Sequence, residues 1–108
     1  MPELSGKHLK ILKALANPTR FQILEWLKDP IKNFGPQLHA NFQPEFQGGA
    51  CVGSIKRRCQ ISQSTISAFM SCLEDAGLVE SQKLDQYTYF HRNEKNIQAF
   101  TAWMKENL

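Results

Sequence analysis

Between Leu9 and Ala16 the apolar residues Leu9, Leu12, Leu15 and Ala16 recur at intervals of three and four, with Ile11 widening the stripe and Lys7, Lys10 and Lys13 outside it. That spacing predicts an amphipathic first helix over residues 4–16. Asn17-Pro18 then supplies a capping side chain followed by the imino acid preferred at a first helical position, so a second helix is predicted to start there. Phe21, Leu24 and Leu27, with Ile23 alongside, give it an apolar face, and Asp29-Pro30 is expected to end it. From 29 to 50 the pattern disappears: DPIKNFGPQLHANFQPEFQGGA has three prolines, three glycines and three phenylalanines. It is expected to be a long connection, partly ordered by Phe34, Phe42 and Phe46 packing onto the body.

Periodicity returns after residue 53. Ser54 is expected to cap a short helix that carries Ile55 and ends near Cys59, with a tight turn at Gln60-Ile61. Ser62 can cap a longer helix running to Ala76, stopped by Gly77. Ile66, Phe69, Met70 and Leu73 share one side of it, while Ser64, Thr65, Ser67, Ala68 and Ser71 are left on the other. Two helices joined by a short turn, the second polar at its exposed start, make a helix-turn-helix pattern. Beyond Leu78 the run VESQKL, then DQ, then YTYFH reads as a two-stranded hairpin reversing at Asp85-Gln86. On a final helix from Asn96 to Leu108, the residues Ile97, Phe100, Trp103 and Met104 form an apolar band wider than a small core requires, which a partner subunit would cover.

These elements place the chain in a fold class that is mainly α with a small β-hairpin: about five helices and a wing in a single domain spanning 1–108, with a long loop at 29–50. Composition narrows the class. A 42% apolar and 21% charged chain is ordinary for a soluble globular protein, and no apolar run has the roughly 18 residues of a membrane span. The start, MPELSGKHLK, has no apolar stretch of the secretory kind, so a cytoplasmic protein is expected. A formal net charge of +3 is a weak pointer to an anionic partner. Its placement is stronger, because Lys56, Arg57 and Arg58 cluster directly before the second helix of the helix-turn-helix.

Three stretches carry a closer likeness: LKALANPTRFQIL at 12–24, ISQSTISAFMSCLEDAGLV at 61–79 and YTYFHRNE at 87–94. They resemble, in the right order, motifs of the arsenic-repressor-like (ArsR/SmtB) family of bacterial transcription regulators, and the resemblance covers nearly the whole chain except 29–50. It implies a winged helix-turn-helix homodimer that binds double-stranded DNA at an imperfect palindrome and lets go when an inducer binds. Dimer contacts would fall on residues 4–15 and 96–108, with Leu9, Leu12, Ile97, Phe100, Trp103 and Met104 as the apolar anchors. Gln63, Ser64, Thr65, Ser67 and Ala68 would form the base-reading surface, with Lys56, Arg57, Arg58 and the wing residue Lys83 on phosphates. Ala68 stands where relatives carry a long polar or basic side chain. Asp85 sits at the wing tip, where an acid repels phosphate, so moderate affinity and a shallow salt dependence are expected.

For the inducer the sequence leaves several readings. Cys51-Val52-Gly53-Ser54 lies where some relatives have a Cys-Val-Cys-Asp metal box, so one thiolate remains and its partner is glycine. Two or three thiolates are what select soft metals, which makes Cys51 a weak ligand, with His39 weaker still. Cys59 and Cys72 are expected to pack as small apolar side chains. The last helix has no His, Asp or Cys, so no metal site is expected there, and the inducer is open between a metal ion and another small molecule. Cys51 as a redox-active thiol before a helix start is one alternative. A winged helix used for protein contacts is another, although the small polar face at 63–68 lacks the aromatic or aliphatic anchors such a surface needs. No glycine-rich phosphate loop, carboxylate pair or nucleophile–base motif points to an enzyme.

Overall fold

Nearly every helix begins where a short polar side chain can take up a backbone N–H that the first turn leaves open. The computed structural model describes residues 5–36 and 49–108. Helix α1 spans Gly6–Leu15, and Ser5 Oγ accepts the His8 N–H. Helix α2 spans Pro18–Trp26, with Pro18 in its first position and Asn17 Oδ1 accepting the Arg20 N–H at 3.0 Å. Arg20 then reaches back. Its Nε donates to the Ala14 carbonyl at 2.8 Å and its Nη2 to that of Lys13 at 3.1 Å, closing the end of α1. The same guanidinium lies 5.4 Å from the centre of the Phe69 ring, so one side chain ties three helices together.

Asp29-Pro30 does not simply end a helix. Helix α2 stops earlier, at Trp26, and Asp29-Pro30 opens a further helix, α3, over Pro30–Phe34. The chemistry repeats that of Asn17-Pro18: Asp29 stays outside helical geometry, as the residue before a proline must, and its Oδ1 accepts the Lys32 N–H at 3.4 Å. Phe34 meets the Trp26 ring edge-on at 6.1 Å and packs on the core. The far end of the expected loop is also regular, because Ala50–Cys51 form strand β1. Phe42, Phe46 and His39 lie outside the described residues.

Strand β1 runs without a spacer into helix α4, Val52–Cys59. Cys51, and not Ser54, therefore occupies the cap position, and it makes no side-chain capping bond. Ser54, already inside the helix, accepts from Arg57 Nη2 at 3.3 Å. Gln60, with φ 56° and ψ 46°, ends α4 in the left-handed region and turns the chain into helix α5, Gln63–Asp75. Strands β2, Val79–Leu84, and β3, Tyr87–Arg92, pair antiparallel from Leu84↔Tyr87 to Val79↔Arg92 around Asp85-Gln86. Asp85 takes φ 56°, which its short polar side chain tolerates. The hairpin is wider than expected: β1 adds to β3 through Ala50↔Phe90 and Cys51↔Tyr89, giving the order β1-β3-β2. Helix α6, Glu94–Asn107, is capped by Asn93.

The core draws on every part of this order. Ile11, Ile23, Ile55, Ile66, Met70, Leu73, Leu78 and Val79 are each less than 2% exposed, and Phe100 of α6 closes the cluster. Arg92 joins the wing to α2, since its Nη1 donates to the Leu24 carbonyl at 2.9 Å while Nε and Nη2 bond Glu94. That bonding holds the Glu94 carboxyl below its ordinary range, against a smaller opposing effect of burial. At the exit of α5, Gly77 has φ +77°, and a Cβ there would sit 3.0 Å from Asn96 Nδ2, which donates to the Gly77 carbonyl.

This packing has two consequences for stability. Gly77→Ala, at a left-handed position, is expected to cost about 1–2 kcal/mol, and Leu73→Ala, at a fully buried one, about 2–5 kcal/mol. Urea unfolding measures both, and an unchanged midpoint in either would place that residue outside the cooperative core. Because the Glu94 carboxyl is depressed in the folded state, its contribution is present above the ordinary glutamate range and is lost as pH falls through the folded value. Glu94→Gln should therefore flatten the acid limb of the stability–pH curve.

Candidate nucleic-acid interface

The burial of α5 is one-sided. Ile66, Met70 and Leu73 are withdrawn from solvent, while Gln63, Ser64, Ser67 and Ala68 are exposed on its first turns. The exposed groups are organised among themselves. Ser62 Oγ accepts the Thr65 N–H at 3.2 Å and donates to Thr65 Oγ1 at 2.8 Å, Ser62 and Ser64 hydroxyls meet at 3.2 Å, and Gln63 Nε2 donates to Ser67 Oγ at 3.2 Å. The Ser62–Ser64 and Gln63–Ser67 bonds are local and solvent-facing, so another hydrogen-bonding partner can replace them at little net cost. Thr65 is the exception among the expected readers, because it is half-buried and bound into the cap. Ala68 offers only a methyl group.

The three cations of α4 separate in the structure. Arg57 and Arg58 are exposed and Lys56 is half-buried. Arg58 stacks over the Trp26 ring at 4.6 Å, which fixes the last turn of α4 on α2 and leaves part of the guanidinium facing outward. Lys83 is exposed on β2, opposite Thr88 of β3. The Cys59 thiol is pushed up by burial, an effect the nearby Arg58 charge only partly offsets. It stays a protonated, weakly reactive group packed against the core, as Cys72 is also packed.

Around Cys51 the structure brings together residues that the sequence pattern did not connect. Cys51 pairs across the sheet with Tyr89, and Tyr87 lies two residues away on the same face. With Ser54 and Arg57 of α4, Gln63 of α5 and Thr88 of β3, they line an open cavity of about 540 Å³. A Cβ built on Gly53 would sit 3.5 Å from an Arg57 guanidinium nitrogen and 3.9 Å from Cys51 Sγ. The space beside Cys51 is thus faced by a cation, which repels a metal ion. Among the described residues, no three His, Cys, Asp or Glu side chains group as a ligand set. The two-residue alternation of Tyr87 and Tyr89 was the available signal for this cavity; the pairing of Cys51 with Tyr89 had none.

Of the expected dimer anchors, Phe100 is buried within the chain's own core, and Leu12, Ile97, Trp103 and Met104 are half-buried against it. Leu9 remains 40% exposed. Trp103 stacks on His8 with ring centres 3.9 Å apart, joining α1 to α6. The two terminal helices therefore form one continuous face.

Known proteins share this arrangement. A profile described as bacterial regulatory protein, arsR family, matches residues 46–81. The chain is 33% identical over 100 residues to YbzH, an HTH-type transcriptional regulator of Bacillus subtilis, covering 93% of this chain and 97% of the relative. It is 28% identical to the transcriptional activator HlyU of Vibrio cholerae, over 92% and 75% of the two chains, and 26% identical to the transcriptional repressor SdpR of Bacillus subtilis, over 87% and 84%. In fold it matches a crystal structure of the ArsR family regulator RHA00566 with TM-score 0.72 at 20% identity, over 99% and 92% of the chains. It also matches the homodimeric winged helix-turn-helix domain of Mb0332 from Mycobacterium bovis with TM-score 0.63 at 24% identity, over 99% and 90%. The capped recognition helix, the basic turn before it and the hairpin beside it thus belong to a DNA-binding transcriptional regulator, and the chain is a member of the arsR family of bacterial regulatory proteins.

Proposed function

We propose that this regulator acts in the cytoplasm as a homodimeric repressor that holds an imperfectly palindromic operator and leaves it when a small inducer binds. The observation that carries the reading is the division of α5 into a fully buried apolar side and an exposed face of short hydrogen-bonding side chains. Short side chains let the helix approach base edges closely, and amides and hydroxyls can exchange their local bonds for bonds to bases. Gln63, Ser64 and Ser67 are the readers, with Ala68 against a base or a thymine methyl and Thr65 holding the helix start. Lys56, Arg57, Arg58 and Lys83 supply phosphate contacts. The face shared by α1 and α6, with Leu9, Leu12, Ile97, Trp103 and Met104, supports pairing of two copies, as in the homodimeric Mb0332 domain. Repression is the activity named for SdpR. No helix among the described residues is long and apolar enough to cross a membrane.

Gel-shift titration against the protein's own upstream DNA tests the reading. Ser67→Glu places an acid on the exposed face and is expected to abolish specific binding; retained binding would show that another surface reads the DNA. Lys83→Ala should weaken binding to all sequences alike and reduce the salt slope by about one. Trp103→Glu is expected to shift the sedimentation of the protein from dimer to monomer, and a dimer that persists would place the interface elsewhere. Cys51→Ser should leave operator binding unchanged and, since the Arg57 cation facing Cys51 disfavours a metal ion there, should not alter any response of that binding to added metal ions; a metal response lost in the variant would restore Cys51 as a ligand.

A further inference from the structure

We propose that the cavity between α4, the start of α5 and strand β3 is a binding site for a small aromatic carboxylate, and that its occupation is the inducing event. The second clause rests on the repressor reading above; the first does not.

The chemistry of the walls selects an anion with an apolar body. The cavity, about 540 Å³, falls within the size range of small-molecule sites. Among the described residues that line it, Arg57 is the one formal charge and none is an aspartate or glutamate. Among the described residues its guanidinium makes a single side-chain hydrogen bond, to the neutral Ser54 hydroxyl, and no ion pair. A planar guanidinium with several N–H groups uncommitted is the protein group best matched to a carboxylate, which it can bind through two parallel bonds. Gly53 makes the approach possible, because the missing Cβ leaves open the space that Arg57 and Cys51 face. Ser54 and Thr88 add hydroxyls. The exposed Tyr87 ring borders the cavity, and Tyr89, itself buried, backs it on the same face of β3, so the wall beside Arg57 is aromatic.

The position of the cavity couples it to DNA. Arg57 and Gln63 line it and are also proposed operator contacts, one for phosphate and one for a base. A carboxylate paired with Arg57 withdraws that cation from the backbone, and a ring seated beside Gln63 competes for its amide. Ligand and operator therefore weaken each other's binding by the same factor.

Benzoate is the probe and benzyl alcohol its uncharged control. Titration of the full ¹⁵N-labelled protein without DNA is expected to show saturable amide shifts confined to residues 51–57, 63 and 86–89 with benzoate, and none of that pattern with benzyl alcohol. Arg57→Gln should raise the benzoate dissociation constant at least tenfold, while Gly53→Asp, whose own carboxylate faces Arg57, should remove saturation. A thermal melt near that of the parent protein confirms that each variant is folded. Equal responses to the two probes, shifts centred elsewhere, no saturation at tens of millimolar, or full affinity in Arg57→Gln would overturn the site. Benzoate at saturation should then weaken operator binding in the gel shift. Saturable binding with unchanged operator affinity would overturn the inducing role, whereas a protein that binds benzoate but shifts no DNA would sink the repressor reading and leave the site intact.

Discussion

The fixed point of the molecule is the buried side of α5. Ile66, Met70 and Leu73 repeat at four and three residues, and each is almost completely withdrawn from water. Burying three large aliphatic side chains of one helix contributes several kcal/mol, far more than the poor helix propensity of the serines and threonine opposite them costs. This imbalance decides which way the helix faces. Once the apolar stripe is committed to the core, Gln63, Ser64 and Ser67 have no direction left but solvent. The proposed reading surface is thus a by-product of packing, set by residues on the opposite, buried side of the helix.

Around that fixed point the remaining elements act as clamps. Arg20 closes α1, starts α2 and lies over Phe69 on α5, so the orientation of the recognition helix is referred to the N-terminal helices. Arg58 performs the matching task for α4 on Trp26. Arg92 fastens the wing to the Leu24 carbonyl of α2. In each case the planar end of an arginine reaches another element, by hydrogen bonds and stacking for Arg20, by stacking for Arg58 and by hydrogen bonds for Arg92, contacts a lysine does not reproduce. The basic character of the chain is therefore only partly available to DNA, because several of its cations are already structural.

Most of this was legible where one residue type carries one physical role. Asn17, Ser62 and Gly77 read correctly because a cap or a positive φ admits few alternatives, and the periodicity of α5 was strong enough to fix its faces. Asp29-Pro30 misled because the same pair can close one helix or open the next; propensity constrains Asp29 but does not determine the conformation of the residues after Pro30. Ser54 misled for a related reason: a serine is a good cap only if the helix starts there, and pairing of Ala50 and Cys51 with β3 moved the start to Val52. Strand β1 itself was not readable, since two residues carry no alternation and the pairing partner lies about forty positions away. The cavity beside Gly53 inherits that obscurity, because it exists only once β1 has joined the sheet.

That junction has a mechanical meaning. Cys51 is the last residue of a strand hydrogen-bonded to the wing and Val52 the first of the helix that precedes the turn, so one peptide unit of about 3.8 Å separates the two. A linker of even a few residues would absorb a displacement of the hairpin through its own torsions. Here there is no such slack, so the position of the hairpin is handed directly to the first turn of α4.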